Sequence, residues 1–595
     1  MNRIKQYFSN FCYATSIIFC ASKRYFILKL VLSLVSSILP YLPLFLWKNL
    51  INAIVDVLSG NSASLLKATW SIAIGYCIVV LIEKLVGTIS EYTDFKYNDA
   101  INYYLDNIMI EKVSGIDLAF FDSSDLRDKL NNSWMLIFST KSMVMFVFDM
   151  LQNAIRLCIS LFLMLSLSYL LIPVVIMLCI PSVIGNRKVN NIEYHFQKDY
   201  EKPKRKLEYY KDLFFEGSRN EIKLYGLSGY LKSLYEGVWK QWDKASLTVS
   251  VKECIISTAS LIVLTVNEII VYGLSVAKLI AGEIAVGDVS YYISILVQFR
   301  SDFTSFCNRI VSFEKNSKEL NDVREFVEMK PILEKSGTEI PSEHPRIEFK
   351  NVSFRYPNSE NYVLKNCSFS IERGQTVGLV GLNGSGKSTI VKLLCRFYDP
   401  TDGIILVDGI DSREYDIVAL RKCFGVMFQD FVRYSFTLRE NIALSDISAL
   451  DDNDRIKKAC VSGRVTDFIN DWENGIDENL TRRFDNKGRE LSGGQWQRIS
   501  LARAFFRDAP IILLDEPSAS LDPIAEHEIF KDFAAISKDK SAVLISHRLS
   551  SITLADKILV LSGGYIIEQG THDELLRQSG EYARLFNLQA SKYAQ

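Results

Sequence analysis

The sequence has almost no net charge, no closely spaced cysteine pair and no small-residue cleavage site in its first 24 residues, and each absence counts against a class of function. Its 68 Lys and Arg nearly cancel 69 Asp and Glu, for a formal charge of −1. That balance argues against a nucleic-acid partner, because general binding to nucleic acid rests on excess positive charge. The 11 cysteines are scattered, with no C-x-x-C pair and no metal-ligand spacing. They read as reduced core or membrane thiols rather than a disulfide framework or a zinc site. Cys12 and Cys20 have no accompanying His, which argues against a thiol-protease domain at the N-terminus. The first 24 residues carry Arg3, Lys5, Lys23 and Arg24 but no small-residue cleavage site, so a removed signal peptide is not expected.

What the chain does have is apolar residue, 48% of the total, unevenly spread over 595 positions. More than one domain is expected at this length. Long apolar runs fill the first 310 residues, and the remainder reads as a soluble domain. A membrane-spanning helix needs ~20 mostly apolar residues to cross ~30 Å of hydrocarbon. Six candidates occur. They are Tyr25 to Ile54, where Pro40 and Pro43 predict a kink; Ala68 to Ile89; two between Met143 and Ile184, joined near Ser166 to Tyr169; Cys254 to Leu279; and one from Val289 that turns polar by Arg300. Any one of them alone reads equally as a buried soluble helix; six together predict a membrane domain.

The segments after the second and fourth spans, Ser90 to Lys141 and Gly185 to Lys252, are long and charged. The latter includes Lys198, Lys202, Lys204, Arg205 and Lys206. Positive charge favours the cytoplasmic side. This predicts a multi-pass protein of the cell membrane, in contact with lipid, with the N-terminus and the C-terminal half in the cytoplasm. Ile101, Tyr104, Leu105, Ile108 and Val113 form a helical stripe, so the spans are expected to continue beyond the bilayer. Each long segment would then reverse at a short helix, Ile116 to Leu130 and Ser218 to Leu227. Charges inside the apolar runs are few: Glu83, Lys84, Asp149, Arg156, Glu268 and Arg300. Such groups face a polar cavity or one another; the sequence leaves both readings open.

Residues Met329 to Pro345 hold Pro331, Gly337, Pro341 and Pro345 and read as a linker. The expected division is 1–328 membrane domain, 329–345 linker and 346–595 nucleotide-binding domain. Within the last, Gly381-Leu-Asn-Gly-Ser-Gly-Lys-Ser388 fits G-x-x-x-x-G-K-[ST]. The apolar run Thr376 to Val380 precedes it as a strand. Ile390, Leu393, Leu394 and Phe397 follow on one helix face. Strand, glycine loop and helix let backbone N–H groups converge on phosphate oxygens at a helix N-terminus. Lys387 then reaches the β- and γ-phosphates, and the Ser388 hydroxyl serves Mg²⁺.

Other residues join this constellation. Ile511-Ile-Leu-Leu-Asp-Glu516 is an apolar strand ending in two acids, Asp515 for Mg²⁺ and Glu516 for the attacking water. Leu491-Ser-Gly-Gly-Gln495 opens a helical run at Trp496 to Phe506, where Ser492, Gly493 and Gly494 suit a phosphate. Gln429 ends the strand Gly425 to Phe428. Ser518-Ala-Ser-Leu-Asp522 follows Glu516, His547 ends the run Ala542 to Ile545, and Tyr356 ends the alternating stretch Arg346 to Phe354.

This ordered set resembles the ATP-binding cassette (ABC) family, and six spans before one cassette resemble an exporter half-transporter. The resemblance implies an all-α six-helix transmembrane domain followed by an α/β P-loop NTPase domain that uses ATP and Mg²⁺. It implies that Tyr356 stacks on adenine, and that Gly381, Asn383, Gly384, Ser385, Gly386, Lys387, Ser388 and Thr389 hold phosphate and metal. Gln429 would touch Mg²⁺ and water, Ser492 to Gln495 would close over the ATP of a partner subunit, Glu516 would be the general base, and His547 would meet the γ-phosphate. Asp522 would lie in the loop linking the two sites. Short helices near Phe121 and Glu221 would couple the domains.

Two positions depart from the family pattern. Gln495-Trp496-Gln497-Arg498 has Trp where Arg is commoner, a substitution familiar from peptide exporters. Asn486 stands where an acidic residue is usual. The expected function is ATP-driven export of an amphiphilic solute or peptide by a homodimer, with a heterodimer as the variant. Alternatives are a flippase for lipid or lipid-linked glycan, a chelate importer, a non-transporting ABC ATPase and a gated channel.

Overall fold

The computed structural model describes residues 2–59, 63–122, 124–165, 171–215, 219–331, 333, 337–357, 359–517, 529, 533, 540–546 and 548–593. These fall into two compact units. One comprises Met1–Ser114 and Lys129–Met329, the other Gly115–Asp128 and Lys330–Gln595.

The first unit is helical. Helix α1 (Asn2–Ala21) leads into α2 (Lys23–Ile38) and α3 (Tyr41–Leu58), which are separated where the sequence predicts a kink. Pro40 sits at the N-cap of α3 and Pro43 in its first turn, where a missing N–H costs nothing. Then come α4 (Ala63–Gly115), α5 (Leu118–Asp122), α6 (Ser124–Leu165), α7 (Leu171–Asp199), α8 (Glu201–Phe215), α9 (Arg219–Leu224), α10 (Ser228–Ile280) and α11 (Val286–Glu328). Helices α4 and α10 have 53 residues each, about 80 Å at 1.5 Å per residue, far beyond the hydrocarbon thickness. On α4 the predicted stripe is present, with Ile101 and Leu105 buried.

Among the described residues, four stretches are long and apolar enough to cross a membrane: Lys23–Leu58, Leu66–Gly115, Met145–Leu165 and Ser228–Ile280. The segments read as the fourth and sixth spans are helical too, as α7 and α11. The turn expected near Ser166 to Tyr169 lies outside the described residues. The short helices α5 and α9 fall where the long segments were expected to reverse.

Of the charges Glu83, Lys84, Asp149, Arg156, Glu268 and Arg300, the last four are paired. Glu268 forms an ion pair with Arg300, Asp149 pairs with Arg309 at 2.5 Å, and Arg156 lies 4.0 Å from Asp302 while donating to the Ser36 carbonyl at 2.8 Å. For these residues the structure favours mutual pairing over an open polar cavity.

The second unit carries two sheets. One is antiparallel, ordered β2-β1-β4-β5, from β1 (Ile347–Phe354), β2 (Leu364–Ile371), β4 (Asp402–Val407) and β5 (Ile410–Asp411). The other is ordered β10-β9-β3-β8-β7-β6, from β3 (Thr376–Gly381), β6 (Phe424–Met427), β7 (Ile511–Asp515), β8 (Ser541–Ile545), β9 (Lys557–Ser562) and β10 (Tyr565–Gly570). All its pairings are parallel except β10 with β9. Strands β7 and β8 are buried at every residue, as parallel strands covered on both faces must be. Helix α12 (Lys387–Leu394) follows β3 and ends earlier than its apolar face predicts. Cys395 caps it and Arg396 takes φ 46°, so Phe397 lies beyond the helix.

Candidate functional site

Parallel strands bring their C-terminal ends to one edge, and that edge is where ligands bind in open α/β sheets. Here it collects the glycine loop after β3, Gln429 after β6, and Asp515 with Glu516 at the end of β7. Leu364 of β2 packs against the loop. A Cβ at Gly386, which has φ 103°, would meet Leu364 Cδ2 at 2.6 Å, so only glycine fits. Gly386 is the N-cap of α12 and contributes no side chain there, which leaves the backbone N–H groups of the first turn facing outward.

Lys387 is buried, and its Nζ donates to the carbonyls of Gly381 at 2.8 Å and Leu382 at 3.0 Å. Burial lowers its pKa, and the charges of Glu516 and Asp515 oppose that shift. Asp515 is 4% exposed. Burial raises its pKa, against a hydrogen bond with Ser388. Its Oδ1 has no hydrogen-bond partner among the described residues, and neither has Ser385 Oγ. A buried carboxylate oxygen with nothing to accept from costs free energy unless a ligand supplies the partner. The site therefore suits a hard cation beside a polyanion.

Glu516 takes φ 54°, a strained region for a non-glycine residue. Its N–H donates to the Ile545 carbonyl at 2.9 Å, and its own carbonyl accepts from Gln497 Nε2 at 3.0 Å. Its carboxylate accepts from Gln429 Nε2 at 2.9 Å. The structure thus unites Gln429 and Glu516, 87 residues apart. Gln497 was missed as a site residue. The sequence shows it only as part of a helix, and nothing local signals that it reaches the backbone behind Glu516.

Tyr356 follows β1, and its hydroxyl lies 3.1 Å from Thr389 Oγ1, which ties the aromatic to the loop helix. Asn383 is exposed at the loop tip. Ser492 caps the helix Gly493–Phe506 through a reciprocal box. Its Oγ accepts from Gln495 N–H at 3.3 Å, and Gln495 Oε1 accepts from Ser492 N–H at 2.9 Å. Those bonds are local, so the signature forms an independent helix N-terminus. Trp496 is buried among Leu438, Ile456, Ile499 and Phe506, a packing position. His547 and the Ser518-to-Asp522 loop lie outside the described residues.

Comparison with known proteins gives concordant results. Residues 364–519 match the ABC transporter family. The chain is 32% identical to the subtilin transport ATP-binding protein SpaT of Bacillus subtilis, over 96% of this chain and 92% of that protein. It is 30% identical to the nisin transport ATP-binding protein NisT of Lactococcus lactis, over 96% of this chain and 94% of that one. A solved structure of a bacterial Atm1-family ABC exporter with ATP bound superposes with a TM-score of 0.81 at 24% identity, covering 96% of this chain and 98% of that one. The chain belongs to the ABC transporter family, as an exporter-type member that joins a helical membrane domain to an ATP-binding domain in one polypeptide.

Proposed function

We propose that the protein exports an amphiphilic peptide, or a solute of that character, by alternating access as a homodimer, with its N-terminus and ATPase domain in the cytoplasm. One observation carries the cargo class. The relatives named for subtilin and nisin transport, both peptides, align over 96% of this chain. Relatives named as putative multidrug exporters align over 52% of it in YgaD of Bacillus subtilis and 45% in a Staphylococcus aureus protein. At 96% coverage, the peptide-transport matches extend through the helices that a cargo must pass. The working division is 1–328 for the membrane domain, 329–345 for the linker and 346–595 for the cassette.

In this reading Tyr356 stacks on adenine. The N–H groups of Gly381 to Thr389 hold the phosphates, and Lys387 exchanges two loop carbonyls for the β- and γ-phosphate oxygens. Ser388, Gln429 and Asp515 are the oxygen donors that would hold Mg²⁺, and the unpartnered Asp515 Oδ1 fits that use. When bound, the ion would neutralise charge developing on the phosphates. Glu516 accepts the proton of the attacking water, while Gln429 and Gln497 fix its position. Ser492 to Gln495, a capped helix N-terminus, close on the ATP of the second copy.

The test uses inside-out membrane vesicles that contain the full chain. Amphiphilic peptides encoded beside its gene should accumulate in an ATP-dependent manner and stimulate phosphate release. Accumulation of a cationic dye such as Hoechst 33342, with no response to any of those peptides, would overturn the cargo class.

A further inference from the structure

Gln429 lies just past β6, and residues 430–437 belong to no strand or helix until the helix Leu438–Ala443 begins. The shape of such a loop depends on the partners its backbone polar groups find. Two side chains supply them here. Asn441 is fully buried, and its Nδ2 donates to the carbonyls of Tyr434 and Thr437, both at 3.0 Å. Arg503 comes from the helix Gly493–Phe506. Its Nε donates to the Asn441 carbonyl at 2.8 Å, its Nη2 to Asn441 Oδ1 at 3.3 Å, and both Nη atoms lie 3.4 Å from the Val432 carbonyl oxygen. The guanidinium also sits over the Tyr434 ring, 5.2 Å from its centroid. Arg503 thus grips the first part of the loop, Asn441 grips the second, and the two grips are bonded to each other.

The same helix carries Gln497, whose Nε2 donates to the Glu516 carbonyl at 3.0 Å. One rigid element therefore anchors both sides of the contact between Gln429 and Glu516. Gln497 holds Glu516 from behind, and Arg503 holds the loop that continues from Gln429. Gln429 is exposed, so packing does not fix its side chain. Its position comes from the backbone on either side, which is β6 before it and the gripped loop after it. A planar fork of donors suits this task, because it reaches two acceptors at once with little loss of side-chain freedom.

We propose that Arg503, together with Asn441, is a positioning residue for ATP hydrolysis: the two side chains clasp the loop after Gln429 and so hold the Gln429 amide against Glu516. The proposal rests on the reading of Gln429 and Glu516 as the pair that fixes and deprotonates the attacking water. Arg503 acts through the loop backbone and on Gln429 alone. Releasing Val432 frees residues 430–433, and the Gln429 amide then spends part of its time away from Glu516. A displacement near 1 Å at a reacting group costs up to roughly 100-fold in rate, and the tie that remains at Asn441 keeps the loss here to about tenfold.

The test uses the full-length protein in lipid nanodiscs. Arg503→Lys keeps the charge and the stem but loses the fork that spans Val432 and Asn441. Its kcat for ATP should fall about tenfold, with equilibrium ATP binding within about twofold of wild type. Two readouts separate positioning from loss of fold. Arg433 is exposed between the clasped Val432 and Tyr434, so trypsin reports on the loop. Cleavage after Arg433 in the nucleotide-free protein should quicken about fivefold in Arg503→Lys, with cleavage elsewhere unchanged. In a Gln429→Ala background, Arg503→Lys should change kcat by less than about twofold, because the group it positions is gone. Tyr434→Leu removes the ring under the guanidinium and should repeat the pattern at about threefold; it serves if Arg503→Lys does not fold. Wild-type trypsin sensitivity in these variants overturns the clasp, and an undiminished loss of kcat on top of Gln429→Ala overturns the positioning role. The reading of the catalytic pair is judged separately. Wild-type turnover in Gln429→Ala alone removes Gln429 from the reaction, whereas cleavage after Arg433 in Arg503→Lys still judges the clasp.

Discussion

Replacing Glu516 by Gln removes one charge and one proton acceptor and leaves the rest of the site in place. The amide has the same length, and its oxygen still accepts the bond that Gln429 Nε2 makes at 2.9 Å. The backbone remains fixed by Ile545 and Gln497, which together offset the strain of φ 54°. Folding stability should therefore change by less than about 1 kcal/mol. A positioned general base contributes roughly 10²- to 10⁴-fold in rate, or about 2.7 to 5.5 kcal/mol of barrier. Turnover should fall by that factor. ATP affinity should hold or tighten, because one carboxylate near the γ-phosphate has become neutral. Single-turnover phosphate release measures the first quantity, and nucleotide retention after rapid filtration measures the second. Turnover within tenfold of wild type, with normal ATP retention, would refute the assignment of Glu516 as the base.

Other perturbations probe the remaining groups. Lys387→Ala should weaken nucleotide binding about 10- to 100-fold, the range of a charge-assisted hydrogen bond, as read by equilibrium binding of a fluorescent ATP analogue. Asp515→Asn should raise the melting temperature of the nucleotide-free protein at neutral pH while abolishing turnover. The folded-state pKa of Asp515 is raised, so its ionisation costs stability above that pKa, and the gain from Asn should fade as the pH falls toward the ordinary carboxylate value. Glu268→Gln strands Arg300 in apolar surroundings and should cost about 1 to 3 kcal/mol of thermal stability; Glu268→Leu with Arg300→Leu should recover most of it, and non-recovery would separate the pair. A mixed dimer with Lys387→Ala in one subunit and Ser492→Arg in the other should keep one ATP crosslinked between the intact P-loop and the opposite signature; crosslinks confined to single subunits would exclude a shared site.

The cassette was legible because its chemistry is written in short contiguous patterns. Gly381 to Ser388, Asp515 with Glu516, and Ser492 to Gln495 each fix a local backbone shape that serves one ligand. The apolar runs Thr376 to Val380 and Ile511 to Leu514 gave their strands directly. Phe397 was misplaced because periodicity alone continues a helix that Cys395 and Arg396 stop. Gln497 was not legible as a partner of the site, because its role depends on where the parallel strands bring Glu516, and no spacing in the sequence records that.

The membrane half was legible as helices but not as a path. An isolated Glu268 at the middle of an apolar run suggests a cargo contact, since an unpaired carboxylate there is expensive. Its partner Arg300 lies 32 residues on, in a different helix, and the pairing emerges only when α10 and α11 pack. The same holds for Asp149 with Arg309 and for Lys29 with Asp94, at 2.6 Å. Each pair cancels a charge that would otherwise select cargo of the opposite sign. At these pairs no net charge remains to select cargo, which leaves apolar surface and shape. On the proposed function, such a surface would meet the apolar face of an amphiphilic peptide, whereas a small ion or a metal chelate would need an uncompensated charge to hold it.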